Sequence, residues 1–318
     1  MNLPFFFPTR VLIIDDEPQV LRMTARLFGQ RPEVSAVHTF ERAADALAFL
    51  EAERALAPQI DAFGAARVTD ELEETVADGG AGAPVVRRRV EIRVSDVSAL
   101  LDAPRRGELV STIFCDYAMP GLDGLAFFER LADVQIRRVL LTAICDERRA
   151  VQAFNRGLIH QFVQKADPSG PQGLESVLAD QMRAFFRART THLAAALALG
   201  DSGRLLQHPA LEGLLARLVD GRRWNAFAFS VAPPGYRLAG PGGEARLLLA
   251  DAGMFEHAAR VVAEIEGPED LRAALRARTW MPAGRNGLPL YEAAEEWRDW
   301  AVAPAIEAAA EPLYWAVV

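Results

Sequence analysis

The sequence predicts an α/β protein: a five-stranded, parallel, doubly wound sheet carrying an insertion, followed by a smaller α+β unit. Three observations predict it. Short apolar runs at residues 11–14, 34–38, 113–115, 139–141 and 162–163 alternate with helical patterns. Several of those runs stop on a polar or charged side chain, at Asp15, Asp116, Thr142 and Lys165. Beyond residue 200 the rhythm gives way to short alternating stretches split by proline and glycine turns. Strand–helix alternation with short links argues for a parallel sheet covered on both faces.

Residues 11–14 form a continuous apolar run, as expected of a strand buried on both faces. Pro18 suits a first helical turn, and Val20, Leu21, Thr24, Leu27 and Phe28 fall at helical spacing. Residues 34–38 read as a second strand, and 40–57 as a helix through Ala43, Ala44, Leu47 and Leu50, stopped by Pro58. Residues 58–108 then break the pattern. A compact α/β domain needs only a few residues there, so the stretch reads as an insertion.

The insertion carries an acidic patch (Asp70, Glu71, Glu73, Glu74), a glycine-rich run at 78–82 and a basic triplet, Arg87, Arg88 and Arg89. The triplet reads as a solvated strand end in preference to a contact with a phosphate-bearing partner. Val90, Ile92 and Val94 alternate with polar residues, the period of a half-buried strand. Asp96 is placed to cap a short helix through Leu100 and Leu101. After Asp116, Pro120 with Gly121 and Gly124 predicts a tight loop, and Leu125, Phe128 and Leu131 mark a helix. Residues 139–141 form a strand ending on Thr142, Val151 and Phe154 belong to a helix closed by Gly157, and Phe162-Val163 runs out at Lys165.

A long helical pattern from Gly173 to Leu199 would span about 40 Å and serves as both last helix and connector. The expected organisation is a first domain at 1–170 with its insertion at 58–108, a connecting helix at 171–200, and a second domain at 201–318. In the second domain, a helix at 209–219 precedes an antiparallel meander through Phe227, Phe229 and Val231, residues 236–238 and residues 247–249. Helices at 254–265 and 269–278 follow. Trp297, Trp300, Tyr314 and Trp315 cluster near a closing strand at 313–318.

With 318 residues, 51% of them hydrophobic, the chain is long enough for two cores. A net charge of −8 excludes a protein that binds nucleic acid over its whole surface. Cys115 and Cys145 have no CxxC neighbour, so neither a disulfide framework nor a zinc site is expected. No stretch approaches the roughly 18 apolar residues of a membrane span. The apolar residues 3–8 lack the length and preceding charge of a signal segment, which makes the cytoplasm the expected compartment. Of 35 basic residues, 34 are arginine; the one lysine is Lys165. Arginine is a broad planar fork and lysine a compact point charge, so its position carries meaning.

Asp15, Asp16, Asp116, Thr142 and Lys165 all fall at the C-terminal ends of apolar runs, which converge on one edge of a parallel sheet. Three carboxylates brought together raise one another's pKa, and a hard divalent cation relieves the repulsion. Magnesium favours a few carboxylates, waters and a phosphate oxygen. Asp116 is then placed to accept a phosphoryl group, with Lys165 and the Thr142 hydroxyl against its oxygens.

These motifs resemble the receiver domain of bacterial two-component response regulators, over about residues 9–170 outside the insertion. The resemblance implies a flavodoxin-like fold with Asp116 as phosphoacceptor, Asp15 and Asp16 as the acidic pair, Thr142 as the switch hydroxyl and Lys165 as the invariant lysine. It further implies Mg2+ ligated directly by Asp16, Asp116 and the Ala118 carbonyl, with Asp15 acting through water. Phe162 falls where the family keeps a rotating aromatic. The implied phosphoryl donor is a histidine kinase or a histidine phosphotransfer protein, and a phosphorylation-dependent homodimer is a further implied assembly. Two positions depart from the pattern: Ala166 replaces the usual proline after the lysine, and Ala118 offers no side-chain acid or amide beside the attacking water. Residues 153–160 resemble a subgroup of regulators with an uncharacterised C-terminal domain.

Two other functions are weighed. A DNA-binding transcriptional regulator would need clustered positive charge, yet residues 171–318 hold 15 arginines against 18 acids. Arg272, Arg276 and Arg278 lie at helical spacing but follow Glu269 and Asp270. A phosphatase of the haloacid-dehalogenase type would need a second acid two residues after Asp116, where Ala118 stands; Asp123 comes too late. His192, His208 and His257 have no metal spacing, and no nucleophile motif accompanies them. No separate catalytic output is expected, which leaves a module that binds a protein or a small ligand.

Overall fold

A computed structural model describes residues 2–56, 66–73, 85–92, 94–131, 135–142, 147–165, 170–198, 200, 202–219, 223–285, 288–293 and 295–318. Glu74, the glycine run at 78–82, Cys145, Ala166 and Asp201 lie outside them. The elements run β1 (Phe5–Phe6), β2 (Thr9–Ile14), α1 (Pro18–Phe28), β3 (Val34–Phe40), α2 (Ala43–Leu56), β4 (Ala66–Glu73), β5 (Val85–Ile92), α3 (Val94–Ala99), β6 (Val110–Asp116), α4 (Gly124–Arg130), β7 (Arg137–Thr142), α5 (Glu147–Asn155), β8 (Gln161–Gln164) and α6 (Gly170–Leu197). The second half continues with α7 (Leu211–Leu218), β9 (Ala226–Val231), β10 (Pro234–Gly240), β11 (Gly243–Ala250), α8 (Ala252–Glu264), α9 (Glu269–Arg276), α10 (Trp297–Trp300), β12 (Ala305–Glu307) and β13 (Leu313–Val317).

The first sheet has five strands in the order β3-β2-β6-β7-β8, every pair parallel. That is the flavodoxin-like order, in which the first βα unit starts centrally and the chain then reverses direction across the sheet. Alternation along the strands divides the core. Leu12, Ile14, Ile113, Cys115 and Leu140 face α2, α4 and α5, packing on Ala46, Phe127, Phe128 and Ala153. Val11, Ile13, Phe114, Val139, Leu141 and Val163 face the other way, onto Leu21 and Phe28 of α1 and Leu178 and Met182 of α6. Both faces are covered, which is why these strands read as unbroken apolar runs.

The second sheet is antiparallel, with six strands in the order β1-β9-β10-β11-β13-β12. It is also covered twice. Phe227, Phe229, Tyr236, Leu238, Leu247 and Leu249 meet α7 and the second half of α6, including Phe185, Phe186 and Leu193. Leu248, Ala250, Tyr314 and Ala316 meet α8 and α9 through Phe255, Val262, Leu271 and Leu275. At 28 residues, α6 serves both cores: Leu178 and Met182 insert into the first, Phe185 to Leu197 into the second.

Several local expectations are corrected. The helix expected from residue 40 starts at Ala43, because residues 39 and 40 extend β3. Val94 does not continue the strand of the insertion; it opens α3, so Asp96 lies inside that helix instead of capping it. The expected aromatic cluster divides between two faces. Trp297, Trp300 and Tyr314 join one core, whereas Trp315, one position along β13, packs against the other.

Two stretches that the sequence places with the first unit contribute to the second, one to its sheet and one to its core. β1 pairs with β9, Phe5 opposite Ala228, and Phe5 and Phe7 are fully buried among Phe186 and its neighbours. Val97, Leu100 and Leu101, at the end of the insertion, join the same core. Arg237 on β10 fastens them, donating to Asp102 Oδ1 at 2.7 Å while its fork also holds Glu244 at 2.8 Å. The insertion's β4 and β5 form an antiparallel pair with Asp70 opposite Arg88 and Glu71 opposite Arg87.

Candidate functional site: an acidic sheet edge

β2 and β6 are neighbours in the first sheet, and Ile14 is paired with Cys115. The residues that follow, Asp15 and Asp116, therefore emerge side by side at the C-terminal edge. Asp15 is fully buried and Asp116 nearly so, while Asp16 is exposed. One carboxylate oxygen from each of the three can be chosen so that all lie within 4.8 Å of one another.

Lys165, one residue past β8, reaches across this group. Its Nζ lies 2.9 Å from Asp15 Oδ2 and 3.0 Å from Asp116 Oδ1, with Glu17 Oε1 at 3.5 Å. Burial alone would depress the lysine pKa, but the hydrogen bonds and charges of Asp15 and Asp116 outweigh it and hold the ammonium above its ordinary value. Burial pushes the Asp15 pKa up, and the Lys165 ammonium and the Glu17 N–H offset it only in part. That N–H donates to Asp15 Oδ1 at 3.0 Å, just before Pro18 opens α1.

Thr142 ends β7, buried, one position beyond Leu141, which is paired with Asp116. Its carbonyl accepts from the Lys165 N–H at 2.9 Å, tying the two loops together. Phe162 is half-buried on β8 opposite Leu140, against the core that holds α4 and α5. Ala118 is exposed in the loop two residues after Asp116. The structure thus brings Asp15, Asp16, Asp116 and Lys165 into one group, puts Thr142 and Ala118 at the same edge, and sets Phe162 on the flanking strand.

Backbone constraints hold the loop. Gly124 donates to the Tyr117 carbonyl at 3.0 Å, and a Cβ at Gly124 would lie 2.2 Å from the Asp116 carbonyl oxygen. Gly121 turns the chain at φ +83°, a conformation that favours glycine. Asp123 caps α4, its side chain accepting from the Ala126 N–H at 2.8 Å. Its carboxylate is thus committed to the helix. The sequence reading missed Glu17 as a third acid facing Lys165; its place directly after Asp15-Asp16 was the available signal.

The donor set fits a hard divalent cation. Asp15 Oδ2 is buried, with the Lys165 ammonium at 2.9 Å as its charged partner. Carboxylate oxygens at this spacing are the ligands magnesium takes, with water or backbone carbonyls completing its shell. Asp15, Asp16 and Asp116 would hold the ion.

No protein-family model and no curated protein matches the sequence. Among solved structures, the Legionella pneumophila response regulator LqsR matches 99% of this chain with 88% of its own, at a TM-score of 0.72 and 19% identity. The signal receiver domain of an HD domain-containing protein from Pseudomonas fluorescens Pf-5 covers 57% of this chain with 92% of its own, at a TM-score of 0.36 and 17% identity. The REC domain of AraT, a response regulator from Geobacillus stearothermophilus, covers 57% with 98% of its own, at 0.34 and 18%. The likeness to LqsR covers 99% of the chain, so the chain shares that protein's fold in its second unit as well as its first.

Proposed function

We propose that the chain is a response regulator of a phosphorelay, in which Asp116 accepts a phosphoryl group and the second unit carries the output. The observation that carries this reading is one ammonium, Lys165, within 3.0 Å of two buried carboxylates at the C-terminal edge of a parallel sheet. An Asp116 carboxylate oxygen attacks phosphorus in line. An O–P bond forms as the P–N bond of a donor phosphohistidine breaks, and the imidazole departs with the electron pair. Bound magnesium would supply positive charge against the phosphoryl oxygens. Lys165, already charged, shifts from its two carboxylates towards the new anion, and the Thr142 hydroxyl turns to a second phosphoryl oxygen. Movement at Thr142 frees space for Phe162, which changes the face formed by α5 and β8. The donor is a histidine kinase or a histidine phosphotransfer protein, and the domain limits at residues 170 and 201 belong to the same proposal.

Two features support an output other than DNA binding or catalysis. Arg272 pairs with Glu269, Arg298 with Asp270, and Arg278 donates to Tyr314 at 3.0 Å, so most of this arginine set is engaged within the unit. Ala118 offers no carboxylate at the position that a phosphatase of this type would use for its general acid, and the next acid, Asp123, is engaged in capping α4. The test is labelling by acetyl phosphate with magnesium. The wild-type chain is expected to take up one phosphoryl group and Asp116→Asn none; labelling retained by that variant rejects the assignment.

A further inference from the structure

Far from the acidic edge, a cleft of about 400 Å3 opens where the first unit, the N-terminal strand and the second unit meet. Its size falls within the range of small-ligand sites. The floor is apolar, built from Leu3, Phe6, Leu215 and Phe227. Phe6 stacks on Phe227 with ring centres 5.9 Å apart and packs on Phe186 at 4.8 Å, so its ring is held in place. At one lip the Asn225 side chain donates to the Pro32 carbonyl at 3.0 Å, pinning the loop before β3 to the second unit.

One wall is basic. Ala179, Arg183 and Arg187 line the cleft from α6 at intervals of four, which stacks them on one side of the helix. Like charges at that spacing repel. Arg183 has Asp180 at 3.8 Å, with both side chains more than half exposed, a pairing of little strength. Arg187 makes no ion pair among the described residues. Arg31, across the cleft, is already committed to Glu33, donating from Nε at 3.0 Å and Nη2 at 2.8 Å. Two guanidinium groups thus stand beside an aromatic and aliphatic floor, held only by the loose Asp180 pair, while Glu212 from α7 lines the cleft without an ion pair to either arginine among the described residues.

We propose that this cleft binds a small amphiphilic anion, with its apolar chain or ring on Phe6, Phe227 and Leu215 and a carboxylate or phosphate head on Arg183 and Arg187. Arginine forks suit such a head because they can bind it bidentately. The site shares no residue with the phosphoacceptor group, so it would give the molecule an input separate from phosphorylation.

The test is calorimetric titration of the full-length chain with decanoate below its micelle concentration, beside 1-decanol and decyltrimethylammonium. Decanoate is expected to bind at one site, and the two others at least tenfold more weakly. Replacing both arginines (Arg183→Gln with Arg187→Gln) is expected to weaken decanoate about tenfold, the scale of losing charge-assisted hydrogen bonds. Ala216→Trp, which fills the cleft, is expected to abolish binding, and Ala179→Trp serves if that variant does not fold. Asp116→Asn is expected to bind decanoate as the wild type does, which separates this site from the phosphoacceptor. The proposal is overturned if decanoate does not bind, if decanol binds equally well, or if a folded cleft-filling variant keeps full affinity. Binding to phosphatidylglycerol vesicles without binding to free decanoate would overturn it too, in favour of a surface contact.

Discussion

Lys165 holds together carboxylates that would otherwise repel at the bottom of a covered sheet edge. Asp15 is fully buried and Asp116 nearly so, and the ammonium stands within 3.0 Å of both. Replacing it with methionine leaves buried charge uncompensated. In the absence of divalent metal, Lys165→Met is expected to lose about 2–4 kcal/mol, less than the full cost of breaking a buried pair because the lysine is partly solvated. Millimolar magnesium is expected to restore part of that loss, and urea titrations with and without the metal measure both effects. The residues of this group were legible in the sequence because each terminates an apolar run. Glu17 was not, since an acid before a helix-opening proline has an ordinary role next to the helix N-terminus.

His160 sets a pH dependence of stability. Burial first, then the charges of Arg137 and Arg138, pull its pKa from 6.5 down to about 4, and its Nδ1 accepts the Arg138 N–H at 3.0 Å. The folded state therefore refuses a proton that the unfolded chain takes up. This contribution to stability is present above pH 6.5 and is lost as pH falls towards about 4. Allowing for partial solvation, the loss is about 1–2 kcal/mol. His38, lowered by burial and then by Arg10, acts in the same direction. His160→Asn is expected to flatten stability between these limits, as read from urea midpoints across pH.

Among the elements, those with a strong local period could be read in advance and those defined by a distant partner could not. The five parallel strands and α6 announce themselves through apolar runs and helical spacing. β1 is two residues long and bounded by Pro4 and Pro8, and its partner β9 lies more than two hundred positions away. Nothing local distinguishes such a strand from an apolar tail. α3 poses the same difficulty: its amphipathic pattern shows a buried face, but not that Val97 and Leu101 bury it against another sheet. Phe5→Ala tests how much the short strand contributes. With Phe5 fully buried between Phe7 and Phe186, the expected loss is about 3–5 kcal/mol in chemical denaturation. A loss below 1 kcal/mol would mean that β1 is dispensable to the second core.

For the whole molecule, the chain crosses between its two cores at four places: after β1, before and after the segment from α3 to residue 108, and along α6. Domains joined by one linker commonly melt separately. Here the strands that carry Asp15 and Asp116 are each entered from a segment seated in the second core, so the two units are expected to unfold together. Differential scanning calorimetry is expected to give one transition with calorimetric and van't Hoff enthalpies in agreement; two resolved transitions would refute this. The same lacing bears on how such a protein can diversify. Transplanting residues 201–318 onto another receiver would leave behind β1, the α3 segment and half of α6, and the graft would arrive with a bare sheet edge and an uncovered face. Modular exchange by a single crossover is therefore unavailable to this architecture, and any productive recombination has to move three separated stretches of the gene at once.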